Sequence, residues 1–197
     1  MKMRRSFLLL VVILLSLVLV ACGGNGDTNS GGGGSAVTLA QTFGAEDSAI
    51  GFKYPEGWIA NSDFGQVTLA SSQAAIDAAE PITGALIVNF LVAPTADIAG
   101  LAENATPTDV LNVFRSFMEG ENAPTFGDVS ELKVGNMDAA QISGSDDTAD
   151  AIVYVVKVAD DAYVVIVGGT AKGEMGNYEA TLKAVIETIT YTAPAAG

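Results

Sequence analysis

Residues 152–167, IVYVVKVADDAYVVIV, decide the fold of this chain. Two runs of apolar and mostly β-branched residues, 152–158 and 163–167, flank Ala159-Asp160-Asp161-Ala162. Aspartate favours turns because its side chain binds nearby backbone donors, so the pattern predicts an antiparallel hairpin. Nearly every residue of both runs is apolar, rather than every second one. We therefore expect these strands at the centre of a sheet, with a layer over each face.

Further strands and two helices are predicted around this hairpin. A second hairpin is indicated at residues 129–134 and 137–143, which are joined by Gly135-Asn136. Earlier strands are indicated at residues 49–54, 64–70 and 84–92. A helix starts at Thr106 as N-cap, with Pro107 at the first helical position and Asp109 three residues after the cap. A last helix covers 174–189. The order strands, helix, strands, helix predicts an α+β fold, an antiparallel β-sheet flanked by helices.

Three short motifs resemble PsbP-like domains, a family named for an extrinsic subunit of photosystem II. They are GFKYPEGW at 51–58, GNMDAA at 135–140 and TITY at 188–191, and the likeness in element order covers about residues 38–192. The resemblance implies an α/β/α sandwich with an antiparallel central sheet. Bacterial lipoproteins of this family mostly lack an assigned activity. Family metal sites that use histidine cannot be carried over, because this chain contains no histidine.

The first 35 residues are organised like the start of a bacterial lipoprotein. Basic residues at positions 2, 4 and 5 precede an apolar segment at 7–20, and LVAC at 19–22 matches a lipobox. We expect residues 1–21 to be a cleaved signal peptide and Cys22 to carry acyl chains such as palmitate. Residues 22–35 then form the lipidated cysteine and a Gly/Ser-rich tether, whose 13 residues after Cys22 span about 20 Å. Residues 36–193 remain for a single PsbP-like globular domain. An uncleaved anchor helix is the alternative.

Charge and cysteine usage restrict the partners. The chain has a formal net charge of −14, and without the three basic residues of the signal it keeps 6 basic and 23 acidic residues, a net charge of −17. Such a surface repels nucleic-acid phosphates and anionic lipid headgroups, so we expect no nucleic-acid partner. Cys22 is the only cysteine, which excludes an intramolecular disulfide.

Two groups of residues are candidates for a binding site. Asp146, Asp147 and Asp150 lie on one predicted loop and are weak candidates for a divalent-cation site, although a hydrated loop is the favoured interpretation. Tyr54 and Trp58 are candidates for the wall of a ligand pocket, or else they border the core. No catalytic residues and no cofactor are predicted.

These patterns favour a lipid-anchored, extracytoplasmic, non-catalytic protein that binds a partner or supports an assembly in the bacterial envelope. We expect it at the cell membrane, attached through the lipid on Cys22 and facing the extracytoplasmic side. The alternative is a lipoprotein of a transport or sensing system that binds a small ligand or a divalent cation. An unrecognised hydrolase ranks third, because the chain has no histidine to serve as the usual base.

Overall fold

The computed structural model describes residues 37–44, 48–63, 65–78, 80–102, 104–118, 120 and 123–193. This part of the chain contains eleven strands and three α-helices. The strands are β1 (Gln41–Phe43), β2 (Ile50–Tyr54), β3 (Ile59–Asp63), β4 (Gln66–Ala70), β5 (Leu86–Pro94), β6 (Thr125–Phe126), β7 (Ser130–Val134), β8 (Met137–Ser145), β9 (Ala149–Ala159), β10 (Ala162–Ala171) and β11 (Thr190–Tyr191). The helices are α1 (Gln73–Asp77), α2 (Pro107–Met118) and α3 (Met175–Ile186).

The predicted central hairpin is confirmed. β9 and β10 pair antiparallel and lie in the middle of a sheet of order β3-β4-β5-β10-β9-β8-β6, in which β7 also pairs with β8. The predicted second hairpin is β7–β8, and its turn places Gly135 at a φ of 59°, a left-handed conformation that glycine adopts without steric cost. All strand pairs of the sheet are antiparallel. The fold is α+β, as the sequence predicts.

The sheet buries side chains on both faces. Along β9, Ile152, Tyr154 and Val156 belong to one buried cluster, while Val153 and Val155 belong to another. Successive side chains of a strand point to opposite sides, so the two clusters mark the two faces of the sheet. We call the side of Tyr154 face one and the side of Val153 face two.

Different elements cover the two faces. Face one is covered by α3, which buries Leu182 and Val185, and by a separate three-stranded sheet of order β1-β2-β11. The ring of Phe52 on β2 stacks on Phe90 of β5 with a centroid separation of 4.7 Å. On face two, α2 packs against β7, β8 and β9 and buries Leu111. The two helices thus lie on opposite sides of the sheet.

The predicted start of α2 is confirmed by its hydrogen bonds. The hydroxyl oxygen of Thr106 accepts the N–H of Asp109 at 3.2 Å, and the Asp109 carboxylate accepts the Thr106 N–H at 2.8 Å. This reciprocal arrangement has the geometry of a capping box, with Asp in place of the usual Glu. It satisfies backbone donors that the first turn of a helix leaves unpaired.

The sequence patterns do not predict β3, α1 or the separation of the small sheet. β3 is an edge strand with mostly small and polar side chains, and α1 has only five residues, so neither produces a clear periodic signal. The small sheet depends on Gly51. A Cβ there would lie 2.9 Å from the Thr190 hydroxyl oxygen and 3.1 Å from the carbonyl oxygen of Phe43. Glycine therefore permits the close approach of β1 and β11 to β2.

The predicted signal peptide at 1–21 and the lipidated cysteine and tether at 22–35 lie outside the described residues. Among the helices that are described, none has the length and apolar character needed to cross a bilayer.

Candidate functional site

The acidic loop at 146–150 is held by hydrogen bonds to the protein itself. One carboxylate oxygen of Asp146 accepts the N–H of Thr148 at 2.7 Å, its hydroxyl at 2.9 Å and the N–H of Ala149 at 2.8 Å. The bond from the Thr148 N–H is the main reason that the pKa of Asp146 lies below its ordinary value. One oxygen of Asp150 accepts the N–H of Gly173 at 2.7 Å, and the Lys172 ammonium donates to the Asp146 carbonyl. These bonds join the loop, which forms the β8–β9 turn, to the β10–α3 turn.

These contacts bear on the predicted cation site. Asp146 uses an oxygen for donors of its own loop and Asp150 uses one for the N–H of Gly173, whereas Asp147 is exposed. In the part of the chain that the structure describes, no three acidic, cysteine or histidine side chains come together as metal ligands. The three aspartates are thus neighbours on one loop, but the observed role of two of them is to bind backbone N–H groups.

Tyr54 and Trp58 lie at the border of the core on face one. Both are half-buried and pack against the face-one cluster. The ring of Tyr54 meets that of Phe52 edge-on at 6.1 Å, and Trp58 meets Tyr178 edge-on at 6.3 Å. Burial is the main reason that the pKa of Tyr178 is raised. Both aromatic side chains thus contact other aromatic residues at the border of the core.

A shallow depression of about 340 Å³ lies on another part of the surface. It lies between the first turns of α3, the C-terminal end of β8 and the N-terminal end of β9. Its walls carry two carboxylates and three hydroxyls. The lining residues are Thr125, Ser143, Gly144, Ser145, Asp150, Ala151, Met175, Gly176 and Glu179. Of these, the sequence singles out only Asp150. The register between β8 and β9 places Ser145 opposite Asp150, and no short sequence motif predicts such a pairing.

The carboxylate of Glu179 connects this depression to the buried side of the sheet. It accepts a long hydrogen bond of 3.5 Å from the Gln141 amide, and Gln141 lies opposite Tyr154 in the β8–β9 register. Burial, and secondly the charge of Glu179, raise the pKa of Tyr154. The phenol therefore stays protonated under physiological conditions and acts as a neutral core group.

A second surface feature is a row of side chains that crosses face two. Cross-strand partners share a face of a sheet, and the pairings link Asn61, Thr68, Asn89, Val167 and Val153 on five neighbouring strands. Val153 is fully buried in the cluster beneath α2, whereas Val167, on the adjacent strand, is 38% exposed. On β10 itself, Val165 is buried in the same cluster at 2% exposure, so the cover that α2 gives to face two ends along β10 between Val165 and Val167.

Hydrogen bonds organise the uncovered part of this row. The carbonyl oxygen of the Asn89 side chain accepts the Gln66 amide at 2.8 Å and the Thr68 hydroxyl at 2.9 Å. Asn89 is the only polar residue in the apolar run of β5, at 85–92. Its amide nitrogen has no hydrogen-bond partner within the described ranges, which leaves two donors available.

Comparison with solved structures identifies the fold as PsbP-like. Cyanobacterial PsbP (CyanoP) from Synechocystis superposes with a TM-score of 0.54 at 14% identity, over 83% of this chain and 98% of that one. LpqN of Mycobacterium tuberculosis, described as involved in cell envelope biogenesis, has a TM-score of 0.51 at 16% identity, over 73% of this chain and 83% of that one.

A Bacteroides thetaiotaomicron structure is similar to the same degree, with a TM-score of 0.52 at 13% identity over 81% of this chain. The match covers 51% of that protein, so this chain spans about half its length. No protein-family model matches the chain, and no curated protein matches it. At these identities the likeness defines the architecture, an antiparallel sheet with helices on both sides.

Proposed function

We propose that this chain is a lipid-anchored, non-catalytic binding or assembly protein on the extracytoplasmic side of a bacterial membrane. The observation that carries the proposal is the position of Cys22, between a short apolar segment and a Gly/Ser-rich stretch that leads into the folded domain. LpqN, which has a similar fold, is described as involved in cell envelope biogenesis, and this agrees with such a setting. The chain has no histidine, so the base that most often activates a nucleophile is missing.

Metabolic labelling tests the anchor directly. Cells expressing the full chain are grown with an alkyne-bearing fatty acid, and the protein is isolated and coupled to a fluorophore. We expect label and membrane association for the wild type, and loss of both for Cys22→Ser, because Cys22 is the only thiol in the chain. Ser30→Ala, a substitution in the tether, is the matched control and should leave labelling unchanged. An unlabelled wild type, or equal labelling of Cys22→Ser, would refute the anchor.

The depression beside α3 favours a second candidate function, in which the lipoprotein binds a small ligand or a divalent cation. Its volume of about 340 Å³ lies at the lower end of the range for small-ligand sites, and its walls bear oxygen atoms. Calorimetric titration with Ca²⁺ and a panel of metabolites tests this candidate. A heat that disappears in Glu179→Gln but persists in Glu187→Gln, which lies outside the depression, would favour it. A flat response to every compound would remove it.

A further inference from the structure

We propose that the depression beside α3 binds a small organic molecule that carries a primary ammonium group. The inference deepens the second candidate function, the binding of a small ligand, and rests on it. It goes further in naming the class of ligand and the atoms that would receive it.

Polar side chains continue from the depression into the covered part of face one. The strand register links one such side chain on each of four adjacent strands, namely Thr125, Ser145, Asp150 and Thr170. Cross-strand partners share a face, and Asp150 lies two residues before Ile152, so this polar row lies on face one. Thr170 is fully buried, and its hydroxyl has no hydrogen-bond partner among the described residues. A buried hydroxyl without a partner lowers stability, so the polar row points to a ligand rather than to packing.

The two carboxylates of the depression lack a basic partner. Neither Asp150 nor Glu179 forms an ion pair in the part of the chain that the structure describes. Two lysines lie near them in the chain. Lys172 donates to the Asp146 carbonyl instead, and Lys183, one turn along α3 from Glu179, is exposed. Like charges in one depression repel each other, and a cation bound between them relieves this repulsion.

The hydrogen bonds of these carboxylates favour an ammonium group over a guanidinium. One oxygen of Asp150 accepts the N–H of Gly173 at 2.7 Å, and one oxygen of Glu179 accepts the Gln141 amide at 3.5 Å. Each carboxylate thus keeps its other oxygen for a ligand. A guanidinium pairs best with both oxygens of one carboxylate, whereas an ammonium group has three donors that need separate acceptors. The two remaining carboxylate oxygens and the Ser145 hydroxyl supply three acceptors.

Other features of the depression separate an organic amine from a metal ion. Ca²⁺ takes about six to eight oxygen ligands, but no three acidic, cysteine or histidine side chains converge within the described ranges. Carbon atoms next to an ammonium group would contact Met175, whose flexible thioether side chain adapts to varied apolar surfaces. The volume of about 340 Å³ leaves room for such a chain.

Calorimetric titration of the full chain in detergent tests the class of ligand. We expect heat from n-butylamine and none from 1-butanol, which has a similar length and no charge, and weaker binding of n-butylguanidine. Asp150→Asn and Glu179→Gln keep an oxygen for their present donors but remove the charge, so each should weaken butylamine binding about tenfold. Asp147→Asn is the matched control, because it removes the same charge from an exposed residue of the neighbouring loop. It should change the affinity by less than about twofold.

Four outcomes would overturn the amine. Equal losses in Asp147→Asn and Asp150→Asn would show attraction by net charge alone. Tighter binding of the peptide acetyl-Gly-Lys-Gly-amide than of butylamine would assign the depression to protein lysines. Heat from Ca²⁺ or from a neutral metabolite that disappears in Glu179→Gln, with none from butylamine, would refute the amine but leave the second candidate function standing. A flat response to every compound would remove both, whereas the fatty-acid labelling of Cys22 tests the anchor independently.

Discussion

Removal of the N-cap of α2 by Thr106→Ala should destabilise the domain by about 1 kcal/mol. The Thr106 hydroxyl oxygen accepts the N–H of Asp109 at 3.2 Å, and the next residues, Val110 and Leu111, are fully buried on face two. Fraying of this turn would therefore expose the core. With a denaturant dependence of about 2 kcal/mol per molar urea, the unfolding midpoint should fall by about 0.5 M. The only tryptophan, Trp58, is half-buried and supplies the fluorescence signal.

Thr108→Ala is the matched control, because it makes the same chemical change two residues away. The Thr108 hydroxyl donates to the Glu131 carboxylate at 2.9 Å on the surface, so its loss should cost less than about 0.5 kcal/mol. Equal urea midpoints for the two variants, or a Thr106→Ala midpoint that matches the wild type, would refute the reasoning. The slope of the transition should remain unchanged in both.

The same cap predicts a pH dependence. The Asp109 carboxylate accepts the Thr106 N–H and hydroxyl at 2.8 Å each, and these bonds hold the pKa of Asp109 below its ordinary value of 3.8. A carboxyl group whose pKa is lower in the folded state contributes stability above the unfolded value and loses it as the pH falls through the folded value. Asp109→Asn should therefore be less stable than the wild type at pH 7, with a difference that vanishes in strong acid. A difference in urea midpoint that stays constant between pH 7 and pH 2 would contradict this cause.

Three further substitutions test the packing and the acidic loop. Thr170 is fully buried, and its hydroxyl has no hydrogen-bond partner within the described residues. The isosteric Thr170→Val should therefore raise the urea midpoint by about 0.5 M. A lower midpoint would mean that the hydroxyl is satisfied. Gly144→Ala should lower the melting temperature by several degrees, because the new Cβ would lie 2.6 Å from the Phe126 ring. An unchanged melting temperature would show that the ring moves freely. Asp146→Ala should lower the free energy of unfolding by about 1 kcal/mol, because the hydrogen bonds within the loop are lost. Asp147→Ala, the control, should lower it by almost nothing. Equal losses in urea titration would contradict the structural role of the loop.

Local signals in the sequence were sufficient for much of the fold. The β9–β10 hairpin follows from two apolar runs around Asp160 and Asp161, and the start of α2 follows from Thr106 and Asp109. In each case the deciding interactions join residues that are close in the chain. The edge strand β3 and the short helix α1 lack such signals, because their residues show no clear apolar period.

The candidate sites depended much less on local sequence. The loop that carries Asp146 could be read from the chain, but the hydrogen bond from Gly173 to Asp150 joins residues far apart in sequence. Glu179 meets the strands that carry Ser143 and Asp150 only because α3 packs on face one of the sheet. Asn89 could be recognised as a polar residue in an apolar strand, but its hydrogen-bond partners could not.

The sequence alone determined the central hairpin and the N-cap of α2, since these depend on contacts within a few residues. Only the tertiary structure decided which side chains face one another and where the cover over the sheet ends. Strand order and helix docking are set by packing between distant segments. For this reason Val153 is buried and its cross-strand partner Val167 is exposed, although both lie in apolar runs of the same hairpin.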